Sequence, residues 1–226
     1  MELFGSGSSV LIVSAHPDDE TLGMGGTIKR MTESGCLIRI LFMSDGVSSR
    51  DSLRESLDAR RNNCKKALEI LGVKDVHFLD FPDNLLDSIP ILELAKQIEK
   101  HIHAHSPQLV FTHYPSDLNV DHRAVAEATQ VACRPKIESP VSGVFFYEVP
   151  SSTDWDFGKE RFSPNLFVNI ENTLEFKRVG LSEYGTEINE FPNARSIESL
   201  ISLAKVRGSH VGFSAAEGFQ VAFLRL

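Results

Sequence analysis

Short continuous apolar runs alternate with stretches of helical spacing along roughly the first 150 residues of the chain. The run at residues 9–14 (SVLIVS) is followed by a polar turn, HPDDE, and then by residues 21–35, whose spacing predicts a helix closed by Gly35. Residues 36–46 (CLIRILFMSDG) repeat the buried-strand pattern. A polar segment carrying Arg and Asp then leads into a helix over residues 55–72. A third strand at residues 75–81 (DVHFLDF) ends at Pro82-Asp83-Asn84, and Ile91, Leu94, Ala95, Ile98 and Ile102 share one face of a helix over residues 91–105. Residues 108–115 and 141–149 read as the fourth and fifth strands, with a helix over residues 121–133 between them.

Strands that are apolar throughout, rather than alternating, are buried on both faces, and their alternation with helices predicts a Rossmann-like α/β fold. The expected architecture is one domain: a mostly parallel sheet with helices on both faces. In such sheets ligands bind outside the carboxyl ends of the strands, which gives weight to a motif just after a strand. Beyond residue 150 the pattern loosens. A polar stretch over residues 151–165 precedes a short strand (LFVNI), two helical segments and a last strand, GFQVAFLRL. Residues 151–226 are expected to cap the same domain.

Composition narrows the partners. With 226 residues and 42% hydrophobic content, the chain can bury one substantial core. It contains no 18-residue apolar run, and its start lacks the pattern of a secretory signal, so a cytoplasmic location without a membrane span is expected. Cys36, Cys64 and Cys133 are far apart and without CxxC spacing, which suggests neither a disulfide framework nor a thiolate metal site. A net charge of −8 argues against a nucleic-acid partner. The nearest basic cluster, Arg60-Arg61 with Lys65-Lys66, reads as a solvated helix face.

Chemistry concentrates in two strings. In Ala15-His16-Pro17-Asp18-Asp19-Glu20, three carboxylates and an imidazole crowd the turn after the first strand. Adjacent Asp18 and Asp19 repel one another unless a cation or hydrogen bonds neutralise them. The second string, Asp117-Leu118-Asn119-Val120-Asp121-His122-Arg123, follows the fourth strand in the same way. Strands one and four are often neighbours at the switch point of a doubly wound sheet, which brings His122 toward His16 and Asp19. Two histidines and one carboxylate with open positions make a catalytic metal site, and Asp121 is placed to orient a neighbouring ligand. The competing reading of each string is a helix N-cap.

The AHPDDE string, with Asp121-His122 about a hundred residues later, resembles the PIG-L/LmbE family of zinc-dependent N-acetylglucosaminyl deacetylases. Weaker resemblance runs through the Arg60 helix, the Pro82-Asp83-Asn84 turn and residues 147–152. Position by position, the resemblance implies zinc held by His16, Asp19 and His122, Asp18 as general base, and Arg60 and Asp83 facing the sugar. It implies a hydrolase that removes the acetyl group from an N-acetylglucosamine-type or related acetamido sugar, releasing acetate and a free amine. The expected partner is that sugar or a conjugate of it. The sequence leaves open the aglycone, iron(II) in place of zinc, and assembly into a homo-oligomer.

One position departs from the family. Many members read His-Pro-Asp-His at the second string, and the first His serves the oxyanion or the leaving amine. Here that position is Asn119, which can donate a hydrogen bond to substrate but cannot transfer a proton. His113 and His210 are candidate substitutes, although a structural role is the more economical reading of each. His101, His103 and His105 read as a solvated face.

Three alternatives stand beside the deacetylase. A two-histidine, one-carboxylate set also serves non-haem iron(II) oxygenases, but usually on an all-β jelly roll. Gly23-Met24-Gly25-Gly26 suggests a phosphate-cradling helix start but lacks GxGxxG. A zinc- or sugar-binding protein that lost turnover through Asn119 is the third.

Overall fold

The computed structural model describes residues 4–46, 56–155, 157 and 160–225. Most of the Arg- and Asp-bearing segment before the second helix, and residues 156, 158 and 159 of the polar stretch, lie outside the described residues. The chain runs β1 (Ser9–Ser14), α1 (Asp19–Glu33), β2 (Leu37–Ser44), α2 (Leu57–Leu71), β3 (Asp75–Phe81), α3 (Ile91–His105), β4 (Leu109–His113), α4 (Val120–Ala132) and β5 (Gly143–Tyr147). It continues through β6 (Leu166–Asn169), α5 (Leu174–Ser182), α6 (Ile197–Ser209) and β7 (Ala216–Leu224).

The strands form one sheet in the order β3-β2-β1-β4-β5-β7-β6. The first five are parallel, whereas β7 runs antiparallel to β5 and β6 antiparallel to β7. Both faces are covered, as the continuous apolar runs require. Val10 and Ile12 of β1 join one core cluster, and Leu11 and Val13 join the other. The expected doubly wound fold is therefore present. The tail adds more than a cover, since β7 and β6 extend the sheet beyond β5. No helix among the described residues is long and apolar enough to cross a membrane.

The switch point lies between β1 and β4, which pair in register Val10↔Leu109 to Ile12↔Phe111. From β1 the chain winds outward to β2 and β3, then returns to β4 on the other side, so the β1–α1 and β4–α4 turns diverge and leave a crevice. The two chemistry-bearing strings occupy those two turns.

The glycine run is part of α1, and the structure overturns its reading as a phosphate cradle. Met24 leaves helical geometry at φ −146°, ψ 24° and kinks α1 inside the core. Gly26 N and Thr27 N donate to the Glu217 carboxylate at 3.0 and 2.6 Å, while Lys177 Nζ donates to Leu22 O at 2.8 Å and to Glu217 at 2.6 Å. A buried ion pair thus satisfies backbone groups around the kink. A Cβ on Gly26 would lie within 2.9 Å of Ile170 Cβ, so this glycine permits close approach of α1 to the tail.

Truncating one partner of a buried, hydrogen-bonded ion pair leaves the other charge uncompensated, at a cost of about 3–5 kcal/mol. Glu217→Ala is therefore expected to lower unfolding stability by that amount in urea titrations at pH 7. A change below about 1 kcal/mol would contradict this account of the kink.

Candidate metal centre and active site

The turn after β1 is built by its own side chains. His16 N donates to Asp19 Oδ2 at 2.9 Å, and Asp18 N donates to Glu20 Oε2 at 3.1 Å. Asp18, at the N-cap of α1, holds φ 138° and ψ −31°, a conformation rare for a residue other than glycine and typical of strained functional positions. Glu20, fully buried, also accepts from Tyr184 Oη at 2.8 Å and from Thr21. Burial raises the Glu20 carboxyl to about 7, against the opposing effect of those hydrogen bonds. Asp19 opens α1 itself rather than preceding it, so its side chain points from the helix start into the crevice between β1 and β4.

Three of the residues named from the sequence converge. His16 Nδ1 lies 3.2 Å from Asp19 Oδ2, and His122 Nε2 lies 3.3 Å from the same oxygen. One donor atom from each of His16, Asp19 and His122 fits within 4.8 Å of the others. Asp19 Oδ1 and His122 Nε2 are buried with no hydrogen-bond partner, which is expensive unless an ion fills the space between them. The orphaned atoms and the donor set fit a divalent metal with nitrogen and oxygen preference, of which zinc is the common case.

Each candidate ligand histidine is gripped from behind. His16 Nε2 meets Asp121 Oδ2 at 3.0 Å and Asp83 Oδ1 at 3.1 Å. Asp121 is itself fixed by the amides of Asn84 and Leu86, at 2.8 and 3.0 Å. Asp121, expected from the sequence to orient a neighbouring ligand, thus lies in hydrogen-bond contact with His16. His122 Nδ1 meets Asp117 Oδ1 and Ser152 Oγ, both at 3.2 Å. Carboxylate–imidazole contacts of this kind set the tautomer and aim the other nitrogen at the metal. Burial disfavours the imidazolium, yet Asp19 and Asp117 outweigh it and hold His122 at about 9 in the metal-free site. Burial likewise opposes ionisation of Asp117, but His122, Ser152 and Thr153 outweigh it and bring the carboxyl down to about 2.

Asp18 stands beside the cluster without joining it. Burial raises its carboxyl above the usual value, against the pull of Arg60 and Arg195. Arg195 Nη1 lies 3.1 Å from Asp18 Oδ2, and Arg60 Nη2 lies 3.5 Å from Oδ1. Arg60 also donates to Glu187 at 2.6 Å and is only 1% exposed. The solvated-face reading therefore fails for Arg60: this position of α2 points into the core and toward the carboxylates, while Lys65 and Lys66 remain exposed.

The substitute histidines have other work. His113 stacks on His122 with ring centroids 4.0 Å apart, and its Nε2 accepts from Ala15 N at 2.8 Å. Burial and the neighbouring His122 keep it neutral, with its pKa well below the ordinary value. His210 is exposed at the end of α6, against Phe167. Asn119 caps α4: its Oδ1 accepts from Asp121 N at 2.8 Å and His122 N at 3.4 Å, leaving its amide nitrogen as the part able to meet a ligand. Of the three histidines read as solvated, His103 is exposed. His101 packs on His77, and His105 Nε2 reaches the carbonyls of Val10 and Leu37.

The family model described as GlcNAc-PI de-N-acetylase, PIG-L, matches residues 11–133, from β1 through the end of α4. The chain belongs to the PIG-L family. This PIG-L chain is 33% identical to the probable N-acetyl-alpha-D-glucosaminyl L-malate deacetylase 2 of Bacillus cereus, over 79% of its own length and 83% of that protein. It is 31% identical to the diacetylchitobiose deacetylase of Thermococcus kodakarensis, over 84% of its length and 73% of that protein. Among solved structures, the 4-carboxy-2-hydroxymuconate hydratase GalB of Pseudomonas putida KT2440 superposes with a TM-score of 0.71 at 24% identity, covering 97% of this chain and 98% of that one. The last likeness is one of fold.

Sequence reasoning assigned no role to Asp117, Ser152, Glu187 and Arg195. Asp117 lay inside the second string, and a carboxylate five residues before a ligand histidine was a usable signal. Glu187 and Arg195 lie in the irregular connection between α5 and α6, where no motif marks them.

Proposed function

We propose that this chain is a zinc-dependent N-deacetylase that hydrolyses the acetamido group of an N-acetylglucosamine-type sugar or sugar conjugate. The observation that carries the reading is the convergence of His16, Asp19 and His122 around orphaned donor atoms, with the Asp18 carboxylate free of that ligand set beside them. The relatives from Bacillus cereus and Thermococcus kodakarensis, at 33% and 31% identity, both bear deacetylase names, and the hydratase likeness, at 24% identity, speaks only to the fold.

His16, Asp19 and His122 are the residues to hold the metal. When bound, it would polarise the acetamido carbonyl and make a water acidic enough to deprotonate near neutral pH. Asp18 accepts the proton of the attacking water, and its burial-raised basicity suits that task. The same carboxyl then returns the proton to the departing amine, so acetate and a free amino sugar leave. Asp121 and Asp117 hold the ligand histidines in one tautomer throughout. The Asn119 amide nitrogen is the group left to meet a sugar hydroxyl, whereas Arg60, 3.5 Å from Asp18, and Asp83, 3.1 Å from His16, are buried and support those two side chains from behind.

The test is acetate release by the zinc-loaded protein from a panel of N-acetylglucosamine, its β-linked disaccharide and α-linked N-acetylglucosaminides. Release from at least one member is expected, in a stoichiometry of one amine per acetate. A fully metallated protein that releases no acetate from any of them would overturn the reading.

A further inference from the structure

The deacetylase reading leaves a charge problem. As water attacks the acetamido carbon, negative charge grows on the carbonyl oxygen, and preorganised positive groups near that charge are usually the largest single source of rate. Where many family members carry a histidine, this chain has Asn119, whose oxygen is committed to the α4 cap. His113 is not free to act through its Nε2, which holds the Ala15 amide.

Among the described residues, the cations that reach the reaction centre are Arg60 and Arg195, and they differ. Arg60 is sealed in the core, with 1% of its side chain exposed, and its Nη1 is bound to Glu187 at 2.6 Å. Arg195 has 21% of its side chain exposed and approaches Asp18 from the connection before α6, with Nη1 3.1 Å from Oδ2. Its position is set from the side: Nε donates to Ser151 Oγ at 2.7 Å, and Glu187 Oε2 lies 3.6 Å from Nη1. Ser151 holds φ 74°, a left-handed conformation that a serine keeps only when its surroundings over-determine it. The next residue, Ser152, bonds Asp117 Oδ1 at 2.6 Å and approaches His122 Nδ1. One short loop after β5 therefore aims both a metal ligand and Arg195.

We propose that Arg195 is a positioning residue for deacetylation, clamping the Asp18 carboxylate toward the attacking water and supplying beside it the positive charge that the Asn119 position lacks. Arg195 keeps its own protons throughout. The water proton passes to Asp18, the O–C bond forms, and the C–N bond breaks as Asp18 protonates the amine. The inference rests on the deacetylase reading and adds to it a residue outside the matched family segment, which ends at residue 133.

The test compares wild type, Arg195→Met, Arg195→Lys and Arg195→Ala in the acetate-release assay, with zinc content and melting temperature measured for each. Expected for Arg195→Met are a kcat about 100-fold lower, KM within about threefold, and zinc content equal to wild type, the pattern of a lost transition-state interaction. Arg195→Lys should recover part of kcat, and methylguanidinium should raise the rate of Arg195→Ala at least about tenfold. Those two readouts stand even if Arg195→Met fails to fold. Active wild type beside an equally active Arg195→Met overturns this inference alone. A rise in KM with kcat unchanged overturns it in favour of sugar binding, and loss of zinc or of the folded state in every variant overturns it in favour of a structural role. Wild type that releases no acetate overturns the deacetylase reading and this inference with it.

Discussion

Asp18→Asn is expected to keep the fold and the bound metal while lowering kcat by about 10²- to 10⁴-fold, the contribution of a positioned acid–base group. The two side chains have the same shape, and asparagine is among the few residues that tolerate positive φ, so the conformation at φ 138° survives the change. The proposed ligands His16, Asp19 and His122 are untouched. What changes is the ability to take a proton: the carboxylate offers two acceptor oxygens, one toward Arg60 and one toward Arg195, whereas the amide offers one acceptor and an NH₂ group facing a guanidinium. Steady-state kinetics together with elemental analysis decide the matter. Full metal occupancy with wild-type turnover would remove Asp18 from the mechanism.

Removing the metal is expected to have a comparably large effect. Chelation, or His122→Ala, should lower acetate release by about a thousandfold or more, since Lewis-acid stabilisation supplies several kcal/mol. Zinc restores the chelated wild type but not the variant, which lacks one of three ligands. Loading should also depend on pH with a definite sign. In the metal-free site the carboxylates hold His122 at about 9 and raise His16 as well, so at neutral pH zinc must displace protons to bind. Apparent affinity therefore weakens as pH falls, by about tenfold per pH unit for each proton displaced. Stability of the metal-free protein runs the other way. A pKa raised from 6.5 to about 9 contributes stability that is fully present below 6.5 and lost as pH rises through 9. Competition titrations and thermal melts at pH 6 and pH 9 measure the two trends. Tighter zinc binding at pH 6 than at pH 9 would contradict the assignment of His122.

Most of the fold was legible because it depends on local pattern. The runs that become β1, β4 and β5 are buried almost throughout, and a strand buried on both faces has no polar side to reveal in an alternation. The ligand residues were legible for a related reason: His16 and Asp19 share one turn, and Asp121 and His122 share another, so each string carried its chemistry in a few consecutive positions. Gly23 to Gly26 misled because a glycine run before a helix and a glycine run inside a kinked helix look alike until Lys177 and Glu217 arrive from the tail. Arg60 misled because Lys65 and Lys66 of the same cluster are exposed and Arg61 is half-buried, and helical spacing alone does not say which member of a basic cluster faces inward.

The sequence by itself determined the doubly wound sheet and the two turns that bear the candidate metal ligands, because strand burial, helix spacing and adjacent carboxylates act over a few residues, while Asp18 as candidate base came from the resemblance of its string to the family. Tertiary structure alone decided what surrounds them. Asp117 and Ser152 behind His122, Glu217 closing the kink of α1, and above all Arg195 over Asp18 are contacts between segments up to 191 residues apart. Such contacts depend on how the tail packs against β1 and α1, and an irregular connection such as the one carrying Arg195 has no periodicity from which its direction can be read.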